Sequence, residues 1–120
     1  MFQIVFNEIS AAEISQLDTL TQLDLLNQFK VTHEDLENVD GDRFGHIKHK
    51  GKSLYRYRSE DYRIYFGVEG ENVIVHRVLH KNTFQDFLYR SNLPVGEDEA
   101  LAESKTFWEL IDEGRKAGTV

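Results

Sequence analysis

Between Leu54 and Lys81 the chain carries Arg56, Arg58, Arg63, His76, His80 and Lys81, spaced so that strands would gather them. Alternate residues of a strand point to the same side, so Arg56 and Arg58 share a face, and so do His76 and His80. A guanidinium is a permanently charged planar fork of donors suited to phosphate. An imidazole changes charge near neutral pH. Together they suit cleavage of RNA without a metal. A base takes the ribose 2′-OH proton, the oxygen attacks phosphorus, and the arginines stabilise charge on the phosphoryl oxygens. Tyr65 adds a ring on which a base can stack. The competing reading is a solvated sheet face, where cross-strand pairs of Arg and Tyr add only a few tenths of a kcal/mol each. Clustered arginines repel unless an anion lies between them, and their coincidence with two histidines favours a phosphodiester site.

Those residues need a sheet in a particular register. Leu54 to Arg58, Tyr62 to Val68 and Val73 to Leu79 read as three strands. Their short connections force antiparallel hairpins. With Glu60-Asp61 as a two-residue loop, Arg58 faces Arg63 and Arg56 faces Tyr65. Tyr55, Tyr57, Ile64 and Phe66 then fall on the other side. A turn around Gly70-Glu71 sets Val68 against Val73 and Phe66 against Val75. The same register predicts His76 and His80 on the arginine side. It also sends Arg77 to the helix-covered side, where it must snorkel or meet an acid from the helices.

The flanking segments supply the rest of an α+β fold. Residues 2–6 read as an opening strand. Ser10 followed by Glu13 forms a capping box, and Ile14, Leu17, Leu20, Leu23, Leu26 and Phe29 continue an apolar stripe. Two short helices, or one bent helix, are expected over 11–30 with a break near Asp18-Thr19. Thr32 with Asp35 predicts a further turn over 33–39, Asp40-Gly41-Asp42 a tight turn, and 43–49 a strand. Residues 83–90 suit a short helix or a last strand, and Pro94 and Gly96 break the chain. One helix is expected over 98–117, with Leu101, Phe107, Trp108, Leu110 and Ile111 on its apolar side. This divides the chain into a domain at 1–92 and an acidic helical extension at 93–120. The extension would pack on the domain or join two copies as a homodimer. Alternatively, Glu97-Asp98-Glu99 and Glu103 lie over the arginine side and restrain it.

Charge is segregated along the chain. The 120 residues hold 14 Lys and Arg against 21 Asp and Glu, a net of −7. Residues 41–90 alone carry a net +4 and four of the five histidines, between two acidic ends. That centre keeps a local phosphate site open despite the overall sign. With no cysteine there is neither disulfide nor thiolate chemistry. His46 with His49 and His76 with His80 have spacings a metal can use, but no thiol accompanies them, and no metal or cofactor is expected. No apolar run approaches a membrane span, and the amino-terminal residues lack a signal-peptide pattern, so the expectation is a cytoplasmic protein with no membrane partner.

The stretch LYRYRSEDYRIYFGVEGENVIVHRVLHK, residues 54–81, resembles the core of the RelE/ParE toxin superfamily of bacterial toxin–antitoxin pairs. Asp61-Tyr62-Arg63-Ile64, Val73-Ile74-Val75 and Val78-Leu79-His80-Lys81 stand where that family carries its recurring motifs. The likeness extends over about residues 2–88. It implies an N-terminal strand and helical hairpin packed on a curved antiparallel sheet, here with an extra C-terminal helix. In the RelE branch it implies a ribosome-dependent mRNA endonuclease; in the ParE branch, a gyrase inhibitor. A non-catalytic interaction module on the same fold is the third reading. By position, Arg56 and Arg63 match basic catalytic residues of the RelE branch, Lys81 its post-strand arginine, and His80 a basic site. Arg58 matches a recurring strand arginine. Lys48 and Lys50 approach the substrate only if their loop folds inward. Leu54 stands where relatives carry a lysine, and Phe87 where they carry a catalytic tyrosine, with Tyr89 two residues on. The resemblance implies an attenuated nuclease whose partners are mRNA on the ribosome and a cognate antitoxin.

Overall fold

Apolar alternation over consecutive segments closes into a five-stranded sheet with helices on both faces. The computed structural model describes residues 2–39, 41–91 and 96–120. The elements are β1 (Gln3–Phe6), α1 (Glu8–Ser15), α2 (Thr19–Gln28), α3 (His33–Glu37) and β2 (Phe44–His49). After them come β3 (Lys52–Ser59), β4 (Tyr62–Glu69), β5 (Asn72–His80), α4 (Gln85–Ser91), α5 (Glu97–Ala102) and α6 (Lys105–Lys116). The sheet order is β1-β5-β4-β3-β2. The fold is α+β.

The sheet is mixed rather than wholly antiparallel, because β1 runs parallel to β5 while the other pairs are antiparallel. The intervening helices and strands give the long connection that a parallel pairing requires. Two helical segments also differ in extent from expectation. Helix α1 starts earlier, because Asn7 is its cap: the Asn7 side chain accepts from Ser10 N and Ser10 Oγ accepts from Asn7 N. The break at Asp18 is as expected, with its carboxylate accepting from Thr21 N. Residues 85–91 are helical. The last helix is two, since Ser104 caps α6 by accepting from Phe107 N, while the Trp108 indole donates to Ala102 O. Asp40, Pro94 and the 92/93 boundary lie outside the described residues.

Each face of the sheet has its own apolar core. On one, α1 and α2 lay Ile14, Leu25 and Phe29 over Phe44, Tyr57, Ile64, Phe66 and Val75. On the other, α5 and α6 lay Leu101, Phe107, Trp108 and Ile111 over Ile47, Leu54, Tyr65 and Leu79. The apolar side of α6 is therefore turned onto its own sheet. Among the described residues, no helix is long and apolar enough to cross a membrane.

The β3–β4 register is the expected one, with Arg58 opposite Arg63 and Arg56 opposite Tyr65. The β4–β5 register is as expected from Glu69 and Asn72 to Phe66 and Val75, and then shifts by one at a bulge. Beyond it, Arg77 faces Tyr65 and His80 faces Tyr62. A bulge sends every later side chain to the opposite face from the one simple alternation gives. Asn7 holds the bulge by donating from Nδ2 to Val75 O, His76 O and Gly114 O at 3.0, 3.1 and 2.8 Å. A Cβ at Gly114 would overlap the His76 carbonyl, so glycine lets α6 reach this point.

His76, in the bulge, is buried, and its Nδ1 has no hydrogen-bond partner among the described residues. Burial first, then the Arg115 charge, push its pKa down to about 4, against a weaker opposing effect of Asp112. Below its ordinary value near 6.5 the unfolded chain takes up a proton that the folded chain refuses, so stability falls as pH falls through this window. Between about pH 6.5 and about pH 5 the loss attributable to His76 is expected to be about 1.5 kcal/mol. Urea melts across that range should show the dependence reduced by that amount in His76→Leu.

Candidate functional site

Arg56 lies in the middle of β3, directly opposite Gly45 of β2. Its side chain has 0% exposure, so all its donors need acceptors inside the protein. Nε and Nη2 bind Asp98 of α5 in a fork, at 3.0 and 2.7 Å. Nη1 donates to Asp42 O at 2.7 Å and Nη2 also to Gly41 O at 2.9 Å. A Cβ at Gly45 would overlap both the Asp98 carboxylate and the Arg56 guanidinium. The expected catalytic role for Arg56 does not fit: no surface of it is left for a substrate, and it ties α5 and the 41–43 turn to the sheet.

Arg58 and Arg63 sit one step nearer the β3–β4 turn. Glu97, also of α5, places one carboxylate oxygen 3.4 Å from Arg58 Nη2 and 3.4 Å from Arg63 Nε. Arg63 Nη1 donates as well to the carbonyls of Ser59, Glu60 and Tyr62, at 3.2, 3.4 and 3.1 Å. Arg58 keeps 33% side-chain exposure and a 3.6 Å approach to Asp42 Oδ1. The acids near Glu97 thus do lie over the arginine side, through Glu97 and Asp98. Glu103 is 3.7 Å from His49 instead.

A second cluster forms around Asp61, at the turn itself. Lys81 Nζ is 3.0 Å from Asp61 Oδ1, and the Lys81 backbone N–H donates to Asp61 O at 2.7 Å. The Lys81 hydrogen bond and charge, with smaller contributions from His80 and Arg63, hold the Asp61 carboxyl below its usual range. Lys81 is the residue in direct contact with that carboxylate. His80 is exposed, edge-on to Tyr62, and its Nδ1 accepts from Asn82 N at 3.1 Å. That bond puts the neutral ring's proton on Nε2, which becomes a donor. Sequence reasoning took Glu60-Asp61 only as turn chemistry, and no local signal marks Asp61 as the meeting point.

The remaining predicted residues are scattered. Tyr65 has 1% exposure, with its ring edge-on to Phe107. Burial, and then the charges of Glu97 and Asp98, push its hydroxyl far above the ordinary phenol value. It offers no face to a base. His76 lines a cavity of about 660 Å3 with Gly67, Ile74 and Arg115, and none of Arg56, Arg58 or Arg63 lines that space. The bulge sends His80 to the opposite face, whereas His76 stays on the α6-covered face beside Gly67, away from the three arginines. Lys48 and Lys50 stand at the β2–β3 turn, where Lys50 and Gly51 both have positive φ, 48° and 80°. Ser53, the partner of Lys48, lies five residues along β3 from Arg58, roughly 17 Å at 3.4 Å per residue. Phe87 packs on the α5–α6 core, and Tyr89 is 89% exposed. Leu54, where a cation was missing, is a core residue. Among the described residues no three His, Asp or Glu side chains gather as a metal site would require.

Arg77 meets the acids that its burial demanded. Glu13 of α1 accepts from Arg77 Nη2 at 2.8 Å and from Val78 N at 2.9 Å, capping the edge of β5 that the short β1 leaves unpaired. Glu113 and Leu110 O of α6 accept from Arg77 Nη1 at 3.3 and 3.0 Å.

Compared with protein-family models and with curated proteins, the chain matches none. The class that fold and site define is an α+β protein with a sheet-borne arginine pair under an acidic helix and a His–Lys–Asp cluster at the adjoining turn.

Removing one partner of a buried pair leaves the other charge uncompensated. Asp98→Ala is expected to cost about 3–5 kcal/mol, and Arg56→Met with Asp98→Leu to recover part of it. Denaturant unfolding of both variants beside the parent measures this. A double variant as unstable as Asp98→Ala would show that the pair's charge is not what the fold depends on here.

Proposed function

We propose that this chain is an attenuated RelE-like toxin, a metal-independent endoribonuclease that acts on mRNA at the ribosome and is neutralised by a cognate antitoxin. The observation that supports the reading is the Lys81–Asp61 ion pair at the β3–β4 turn, with His80 the residue before Lys81 and the Arg58–Arg63 pair on the adjoining strands. Cations so placed suit a phosphodiester that replaces the internal salt bridges. Arg63, Lys81 and the His80 Nε2–H donate to the phosphoryl oxygens. Asp61 takes the 2′-OH proton, the 2′-oxygen forms its bond to phosphorus, and the bond to the 5′-oxygen breaks. The departing oxygen takes its proton from water.

A second reading, a RelE-fold interaction module without catalysis, is favoured by the burial of Arg56 and Tyr65. Both are spent on structure.

His80 is exposed and Lys81 half-exposed, so their joint replacement by alanine should leave the thermal melt nearly unchanged. Induced expression followed by mapping of mRNA 5′ ends on translating ribosomes should give codon-phased cuts for the parent. In His80→Ala/Lys81→Ala their frequency should fall at least about tenfold, the scale of losing one positioned catalytic group or more. DNA damage with intact mRNA would instead indicate a ParE-like inhibitor. Neither effect would indicate the interaction module.

A further inference from the structure

The two acids of α5 are held very differently. Asp98 is anchored on Arg56 through a fork at 3.0 and 2.7 Å, and Leu101, one turn on, is fully buried. Glu97 offers a single oxygen to two arginines, at 3.4 Å from each. Arg58 meets its other acid, Asp42, only at 3.6 Å, and its Nε is buried without a hydrogen-bond partner among the described residues. Arg58 and Arg63 stand directly opposite each other across the β3–β4 ladder. Like charges so placed repel. One loosely held carboxylate oxygen contacts both, and the Arg58 Nε–H is unused among the described residues.

A phosphodiester would fill the same position better. It brings two non-bridging oxygens where Glu97 supplies one, and guanidinium groups bind such a pair with both arms. Glu97 begins the first turn of α5, so its side chain can swing to solvent by rotation about its own bonds. Helix α5 need not move, because Asp98 and Leu101 keep it seated. The gate is a side chain, and the helix behind it is part of the core.

We propose that Glu97 is a carboxylate gate over a phosphate site formed by Arg58 and Arg63, closed in the free protein and opened when an RNA phosphate displaces that side chain. This rests on the phosphodiester reading given above and adds its regulation in cis. The acid stands in for the substrate and sets how strongly RNA must compete. Arg56, Asp98 and Leu101 position the gate and do not touch the nucleic acid.

The test measures binding of a 5′-fluorescein-labelled single-stranded oligoribonucleotide to the full chain by fluorescence anisotropy over a range of salt. Glu97→Gln keeps the shape and removes the competing charge. It should bind about tenfold tighter than the parent, with a salt slope steeper by roughly 0.7 for each additional phosphate that the freed arginines neutralise. Glu109→Gln makes the same change of net charge at an exposed position of α6 beside Lys105, and should alter neither affinity nor slope. A folded Glu97→Gln that binds like the parent, or a Glu109→Gln whose binding tightens as much, overturns the gate. In the parent, saturating oligoribonucleotide should leave amide exchange at Leu101 and Ala102 slow. Loss of that protection also overturns a gate confined to Glu97, and this second measurement does not depend on the variant folding. Tighter binding by Glu97→Gln with no codon-phased mRNA cuts in cells supports the gate and removes the nuclease reading. Equal binding with cuts from both proteins removes the gate and keeps the nuclease.

Discussion

A guanidinium with no exposure must find acceptors for its donors inside the protein, and the way Arg56 does so organises the half of the molecule that carries the candidate site. Its fork on Asp98 fixes α5, and its bonds to Asp42 O and Gly41 O fix the turn leading into β2. Gly45 leaves the space in which guanidinium and carboxylate meet. Breaking such a pair from one side costs about 3–5 kcal/mol, a large part of the roughly 5–15 kcal/mol by which a domain is stable. Glu97, the preceding residue, is delivered over Arg58 and Arg63 as a consequence of that anchoring. Structure and candidate function thus share one helix, with the tight acid serving the first and the loose acid the second.

The bulge in β5 has the same kind of reach. One extra residue at His76 turns Arg77 toward Tyr65 and α6 and sends His80 to the side of Tyr62. Arg77 then bridges the helical layers through Glu13 and Glu113. His80 joins Lys81 and Asp61 at the turn instead of lining the arginine face. Asn7 holds the irregularity from the end of the neighbouring edge strand β1, donating to carbonyls of both β5 and α6. The two candidate clusters, arginines under α5 and His–Lys–Asp at the turn, are adjacent because the β3–β4 hairpin ends where β5 does.

The net charge of −7 takes on a physical meaning in this arrangement. Acids from both ends of the sequence lie on the basic centre, with Glu13 on Arg77, Glu97 on Arg58 and Arg63, and Asp98 on Arg56. The centre is therefore neutralised at short range, and long-range attraction to RNA is weak. The proposal of an attenuated toxin rests on that balance.

Much of the fold is legible in the order of residues because short-range rules decide it. Alternation and the Glu60-Asp61 loop are enough to pair Arg58 with Arg63, and Asp18 and Thr32 mark helix starts by the reach of their side chains to the next turn. The acidity of the segment around Glu97 also points to the arginine face, since opposite charges separated in sequence tend to meet. Events that depend on three-dimensional packing leave no such trace. The bulge at His76 is stabilised by Asn7 and Gly114, and neither is near it in the chain. Nor does periodicity reveal that Arg56 and Tyr65 are sealed under α5, because alternation assigns a face and says nothing of what covers it. Strands, hairpin register and the segregation of charge thus follow from local chemistry alone. Which cations are buried, which acid holds each one and which can still meet a substrate were settled only on folding, because burial and pairing join segments from opposite ends of the chain.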